Sequence, residues 1–314
     1  MERLKIAITG SSGFIGANLV RSFDNTHEVF PLTRNTNNWR LGSQFKAIKF
    51  NILEREKVRE IIGKLKPDVL IHCAAYGGLF FETNVRNIVE TDLIGSMNLI
   101  DASKDVPVVL NTGSSTEYGI RRSPMKESDL IAPTTQEGMT KALQTSLFRS
   151  AHNSLTLRLF SVYGYYEEKH RLISHLIYSL IEDQKPMLSS LNNVRDFVFI
   201  EDVSKAYSLA ISNYDKVEKG SIFNIGTGIQ STILDIVNEL KVEVDYNPSA
   251  RTEEPKRMWQ ADISKTMREL KWIPQHSLRD GLKKTKEWME KNLHLYEGDE
   301  NDKLARSKQS SGQT

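Results

Sequence analysis

The sequence predicts an α/β fold, a doubly wound parallel sheet followed by a smaller C-terminal lobe. Three observations lead there: short apolar runs alternate with amphipathic stretches through the first half, a glycine-rich turn follows the first apolar run, and the rhythm changes beyond Gly164. Residues 5–9, 28–32, 47–50, 69–72 and 106–111 read as buried strands, and 14–23, 54–65, 84–103 and 136–152 as helices. Alternation of this kind with short connections builds a parallel sheet covered on both faces. Pro67 and Asp68 make the break before the strand at Val69. Further on, RLISHLIYSLIEDQ reads as a helix, and the stretch beginning ADISKTM reads as two helices parted by a turn at Pro274. The expected division is 1–165 for the sheet, 166–295 for the smaller lobe and 296–314 for a polar, disordered tail. Segments near 197–212 and 222–226 are expected to return to the first part.

Composition sets the outer limits. The 314 residues are 39% hydrophobic and 26% charged, and 42 Lys plus Arg against 40 Asp plus Glu give a formal charge of +2. Such a balance carries no electrostatic footprint for nucleic acid or an anionic membrane, so neither is an expected partner. Cys73 is the only cysteine, which rules out an intrachain disulfide, and its apolar setting reads as core. No run approaches the about 18 apolar residues of a membrane helix, and the start lacks a secretory pattern; the expected location is the cytoplasm.

The strand KIAIT at 5–9 runs into Gly10-Ser-Ser-Gly13-Phe-Ile-Gly16. Strand, glycine turn and helix in this order are the setting a dinucleotide fingerprint requires. Gly10 makes the tight turn, Gly13 lets the backbone approach a pyrophosphate, and Gly16 lets the helix pack on the strand. Ser12, Phe14 and Ile15 complete the turn, the last two also as core residues. The helix N-terminus offers unpaired N–H groups and partial positive charge to phosphates. The second strand ends Leu32-Thr33-Arg34-Asn35 with no carboxylate. An acid there reads the ribose of NAD and an arginine the 2′-phosphate of NADP, so Arg34 tilts the expected coenzyme from NAD to NADP.

Later segments follow in a telling order: IHCAAYGG, NTGSSTEYG, PTTQEGMTK, LRLFSVYG, RDFVFIEDVSKA, FNIGTG and ADISKTMRELKW. Together with ITGSSGFIG they make the chain resemble the extended short-chain dehydrogenase/reductase superfamily, in its NAD(P)-dependent epimerase/dehydratase group acting on nucleotide sugars. The resemblance covers nearly the whole chain to about residue 290. It implies a Rossmann-like sheet with a substrate-binding lobe, and a nucleotide sugar as substrate. It also implies a homodimer built on the helices at 84–103 and 136–152. By the same resemblance Asn51, with Ile52 beside it, reads the adenine, and Ala74 and Ala75 line the coenzyme's middle. Ser114 matches the catalytic Ser/Thr, and Lys141 the lysine that binds the nicotinamide ribose and lowers the pKa of a catalytic tyrosine. Arg195 matches the arginine that holds the substrate diphosphate, and Asn224 a positioning residue nearby. Ser115, Thr116, Ser161 and Arg257 are further candidates on the substrate side.

One departure matters. The family has a tyrosine four residues before the lysine, and here that residue is Glu137, with Pro133 and Lys141 correctly spaced around it. A phenol starts near a pKa of about 10 and can be drawn toward neutrality, whereas a carboxylate starts near about 4 and an adjacent ammonium lowers it further. Three readings follow: Glu137 works as a base in a variant enzyme; catalysis rests on Ser114 with another group such as Glu117, Tyr163 or Tyr165; or the chain binds coenzyme and ligand without turnover. A fourth, plainer reading makes Glu137 and Lys141 an i,i+4 surface pair worth about 0.3–0.5 kcal/mol. The family's 4,6-dehydratases carry an acidic pair directly after the catalytic Ser/Thr, where this chain has Ser115 and Thr116. Epimerisation or 4-keto reduction of a nucleoside diphosphate hexose therefore fits better than dehydration.

His72 reads as a satisfied strand-end histidine, and His175 has no second ligand at metal spacing, so no metal is expected. Arg251 and Arg257 are equally an extra grip on a diphosphate or a solvated loop. Trp259, Trp272 and Trp288 read as anchors of the smaller lobe.

Overall fold

A computed structural model describes residues 3–36, 38–76, 78, 84–151, 153–247 and 258–296. Arg251, Arg257 and the tail at 297–314 lie outside the described residues.

The chain lays down β1 (Lys5–Thr9), α1 (Phe14–Asp24), β2 (Glu28–Thr33), β3 (Ile48–Lys49), α2 (Arg55–Leu65) and β4 (Val69–His72). Next come α3 (Val85–Val89), a π-turn (Glu90–Ile94) and α4 (Gly95–Ala102). There follow β5 (Val108–Ser114), a 3-10 turn (Ser115–Tyr118), α5 (Gln136–Arg149), β6 (Ser154–Leu159) and β7 (Ser161–Tyr163). The second half holds α6 (Leu172–Ile181), β8 (Met187–Leu188), β9 (Val194–Arg195), β10 (Phe197–Phe199), α7 (Ile200–Ser212) and β11 (Ile222–Ile225). It ends with β12 (Ser231–Thr232), α8 (Ile233–Leu240), β13 (Asp245–Tyr246), α9 (Ser264–Leu270) and α10 (Leu278–Lys291).

Seven strands form one parallel sheet in the order β3-β2-β1-β4-β5-β6-β11. Alternate residues of its central strands feed two cores, as the strand period of two requires. Ile6, Ile8, Val69 and Ile71 join Leu19, Val20 and Val203 on one face, and Ala7 and Leu70 join Val58, Ile62 and Leu99 on the other. Because the central strands are covered on both faces, even their polar residues are buried: Thr9, His72 and Asn111 are almost fully enclosed. Ile222–Ile225 joins the sheet beside β6, with Asn224 opposite Arg158, whereas Phe197–Phe199 pairs with β7 in a separate two-stranded ribbon. The helix expected over 84–103 is interrupted by the π-turn, and the strand expected over 106–111 runs on to Ser114. Among the described residues no helix is long and apolar enough to cross a membrane.

Candidate active site

The glycine turn is shaped by steric necessity. Gly10 has φ +65°, and a Cβ there would stand 2.6 Å from Ala74 N. A Cβ on Gly16 would stand 2.4 Å from Gly10 O and 2.8 Å from Ser11 Cα. These are backbone atoms, so neither contact can be relieved by a rotamer change. Gly13 caps α1 without a side-chain hydrogen bond, and the first turn holds no acidic residue. The leading N–H groups thus keep their capacity for an anion. Thr33 Oγ1 donates to Ser12 Oγ at 2.6 Å, tying the turn to the end of β2.

Gly10, Ser12, Gly13, Arg34, Asn51, Ile52, Ala74 and Ala75 line one cavity of about 200 Å³. Among the described residues no lining residue is acidic, and Arg34 is the basic one. Amide donors at a helix start, small residues and one cation form a donor set that fits a dinucleotide's diphosphate and an adjoining phosphate. Phe14 and Ile15 pack against the core, so only their backbone faces the turn. Sequence reasoning missed Thr33, Asn35, Phe50, Leu53, Cys73 and Thr91 among the lining residues, and Cys73, expected in the core, opens onto this cavity. Thr33 was within reach as the neighbour of Arg34, but Thr91 arrives from the π-turn, which no local pattern marks. The same turn buries Asp92, whose carboxylate accepts Tyr76 N–H at 3.1 Å and Thr140 Oγ1–H at 3.0 Å, joining the loop after β4 to α5.

The second constellation begins where β5 ends. Ser114 Oγ accepts from Thr116 N–H at 3.2 Å and from Thr116 Oγ1 at 2.8 Å. Ser114 N–H in turn donates to Glu117 Oε1 at 2.8 Å. Glu117 is fully buried and paired with Arg158, whose Nη2 and Nε lie 2.7 and 3.1 Å from Oε2, and Thr145 Oγ1 donates to Oε1 at 3.1 Å. Committed to this network, Glu117 has no reach into the cleft. Tyr163 and Tyr165 are engaged elsewhere, donating to Leu278 O and to Glu201 Oε1. Of the groups weighed as replacements for the missing tyrosine, the three outside α5 are thereby accounted for.

The start of α5 closes on this turn. A Cβ on Gly138 would stand 2.6 Å from Thr116 O, so glycine is what lets the helix approach. Glu137, in the first turn of α5, is half-buried beside it. Lys141 is buried, and its ammonium donates to Thr112 O at 3.3 Å and Gln144 Oε1 at 2.8 Å. Lys141 is thus not at the helix surface, where the plainer reading put its pair with Glu137.

Arg195 is half-buried, donates to Val194 O at 2.8 Å and lies with its guanidinium carbon 4.7 Å from the Trp259 ring centre. Trp259 Nε1 donates to Ser115 Oγ at 3.1 Å, so one indole links Arg195 and Ser115, two of the predicted substrate residues. Ser161 sits on β7 opposite Phe197, its N–H bonded to Asp196 O at 2.9 Å. Asp196 was not singled out, yet its buried carboxylate accepts the N–H groups of Thr227, Gly228 and Ala261 and the Thr227 hydroxyl. Burial pushes its pKa up, and those bonds oppose the shift. Asn224 is enclosed, its Oδ1 accepting from Tyr118 OH at 2.8 Å and its amide donating to Met125 O at 2.9 Å.

A glycine turn of this geometry, at the end of an inner strand of such a sheet, defines a dinucleotide-binding fold. The chain belongs to the NAD dependent epimerase/dehydratase family, whose model matches residues 6–226. Its relatives include UDP-glucuronate 4-epimerase of Thermodesulfobacterium geofontis, 28% identical over 92% of this chain and 97% of that one. Another is dTDP-glucose 4,6-dehydratase of Haemophilus influenzae, 23% identical over 91% of this chain and 97% of that one. Among solved structures, UDP-glucuronic acid 4-epimerase from Bacillus cereus, in complex with UDP-glucuronic acid and NAD, superposes with a TM-score of 0.80. It is 25% identical and covers 92% of this chain and all of that one.

Proposed function

We propose that this chain is an epimerase or 4-keto reductase acting on a nucleoside diphosphate hexose or deoxyhexose with NAD(P). The observation that carries this reading is the hydroxyl of Ser114. Both its acceptor positions are filled by Thr116, which leaves its own proton to give. A donor so fixed suits a substrate oxygen that becomes a carbonyl and an alcohol in turn. When bound, the nicotinamide supplies the hydride acceptor and donor. Glu137, a carboxylate and hence a base near neutrality, takes the proton of the substrate alcohol. Arg195 holds the diphosphate, and Ser161 and Thr116 line the sugar. Ser115, buried against Trp259, and Thr116, committed to Ser114, stand where an acidic pair would serve dehydration.

Residues 166–295 then form the lobe over the sugar, with α7 and β11 returning to the coenzyme half. Arg34 and the lack of an acidic lining residue among the described residues support NADP as the coenzyme. Exposed Val85, Val89, Ile94 and Met97 on the α3–α4 segment, with Met139 and Leu143 on α5, support a homodimer across these helices. A lone cysteine and a nicotinamide coenzyme suit the cytoplasm.

The test offers nucleotide sugars with NAD(H) and NADP(H), reading products by chromatography and coenzyme by absorbance. Glu137→Gln should lower kcat by about 100-fold or more, with coenzyme affinity nearly unchanged. An undiminished rate in that variant refutes the base assignment, and ligand binding with no turnover in the unaltered chain makes it a binding protein. Arg34→Ala should weaken NADP by about tenfold and leave NAD unaffected.

A further inference from the structure

Lys141 is held by neutral acceptors, and the chain of bonds continues past them. Gln144, fully buried on α5, accepts from Lys141 at 2.8 Å through Oε1, while its Nε2 lies 2.8 Å from His72 Nε2 and 3.0 Å from Ser96 Oγ. His72 Nδ1 is 2.8 Å from Thr9 Oγ1, which also accepts the Ala74 N–H at 3.3 Å. Thr9 and His72 end β1 and β4, and Ala74 lines the coenzyme cavity.

The polarity of this chain has one solution. An ammonium only donates, so Gln144 must turn its oxygen to Lys141 and its NH2 to His72 and Ser96. Ser96 gives its own proton to Asp92 O at 2.6 Å and so accepts from Gln144. His72 Nε2 also lies 3.1 Å from Ser96 Oγ, but the shorter approach of the Gln144 NH2 makes it an acceptor, and the ring's single proton sits on Nδ1, towards Thr9. Burial first, and then the Lys141 charge, push the imidazole down to about 3, which keeps it neutral as this arrangement demands. The titratable groups facing Lys141 are His72 and Cys73 from the end of β4, with Glu137 one turn before it on α5. Asp92 meets α5 at Thr140, Glu117 meets it at Thr145, and Tyr207 of α7 approaches through Thr112.

We propose that Gln144 is a positioning residue that fixes the Lys141 ammonium with a neutral acceptor and, through the His72 tautomer, ties it to the strand ends carrying the coenzyme. The proposal rests on the reading of Lys141 as part of the catalytic site. A carboxylate in the same place would pair with Lys141 and offset its charge. An amide holds the ammonium and leaves that charge to act in the cleft.

The test compares the unaltered chain with Gln144→Glu and Gln144→Met, each labelled with 15N-histidine. The unaltered chain should show a neutral His72 protonated at Nδ1. In Gln144→Glu the Nε2 should gain a proton, and in Gln144→Met, which removes all three bonds at similar volume, the two tautomers should mix. The same tautomer in all three, or Nε2–H in the unaltered chain, overturns the proposal. In turnover assays Gln144→Glu should lower kcat by about tenfold and move a limb of the pH–rate profile by about one unit, with coenzyme Kd nearly unchanged. A lowered Tm with an unmoved profile would make Gln144 a packing residue and also overturn it. If the unaltered chain turns over no nucleotide sugar, the reading of the reaction fails while the histidine spectra still decide the role of Gln144.

Discussion

The turns after β1 and β5 both stand at C-terminal ends of sheet strands, with β4 between them, and they are held by opposite means. The turn at Gly10–Gly16 is held by side chains that are missing, since backbone approaches backbone where any Cβ would intrude. The turn at Ser115–Tyr118 is held by a charge that is present. Glu117 meets Arg158 of β6, whose guanidinium lies 4.3 Å from the Tyr118 ring centre, and Tyr118 OH continues to Asn224. A site of the first kind fails when one carbon is added; a site of the second kind fails when one charge is removed.

The most damaging way to break this contrast is Glu117→Gln. It strands the buried Arg158 guanidinium and should cost about 3–5 kcal/mol in denaturant unfolding. A loss below about 1 kcal/mol would mean the pair is not what holds the second turn. The double change Glu117→Leu with Arg158→Met should recover most of that stability, because an apolar pair has no desolvation cost, yet turnover should stay low because Ser114 N–H loses its acceptor. Gly16→Ala comes next, at about 1–3 kcal/mol, with coenzyme binding lost in calorimetry; tight binding in that variant would show that the turn can yield. Ser12→Ala is the mildest. It removes only the Thr33 bond, at about 1 kcal/mol, and should weaken coenzyme a few-fold in the same titration.

The same contrast explains what could be read from the sequence. Residues 5–9 and 69–72 were legible to the residue because apolar runs between helices have one use in this fold, and the glycines were legible because their requirement is local. Ser114 and Lys141 were reached through resemblance, and the structure brings both to α5 and the end of β5. Gln144 and Asp196 were not singled out, because a buried amide or carboxylate looks like any surface residue until its partners are known. The partner of Gln144 at His72 lies 72 residues away, and those of Asp196 lie 31 to 65 residues away. The strand read over 106–111 stops short because Thr112, Gly113 and Ser114 resemble a loop, although their pairing with β6 keeps them in the sheet.

The π-turn at Glu90–Ile94 gives this part of the chain a length that cannot be trimmed without notice. An α-helix advances about 100° per residue, so deleting one residue there would restore a regular helix and swing Val85–Val89 through more than a quarter of a rotation relative to α4. Thr91 and Asp92 would leave their posts together, one at the cavity wall and the other bridging to Thr140. What resembles slack in the spiral is thus a spacer that sets the angular phase between two surfaces.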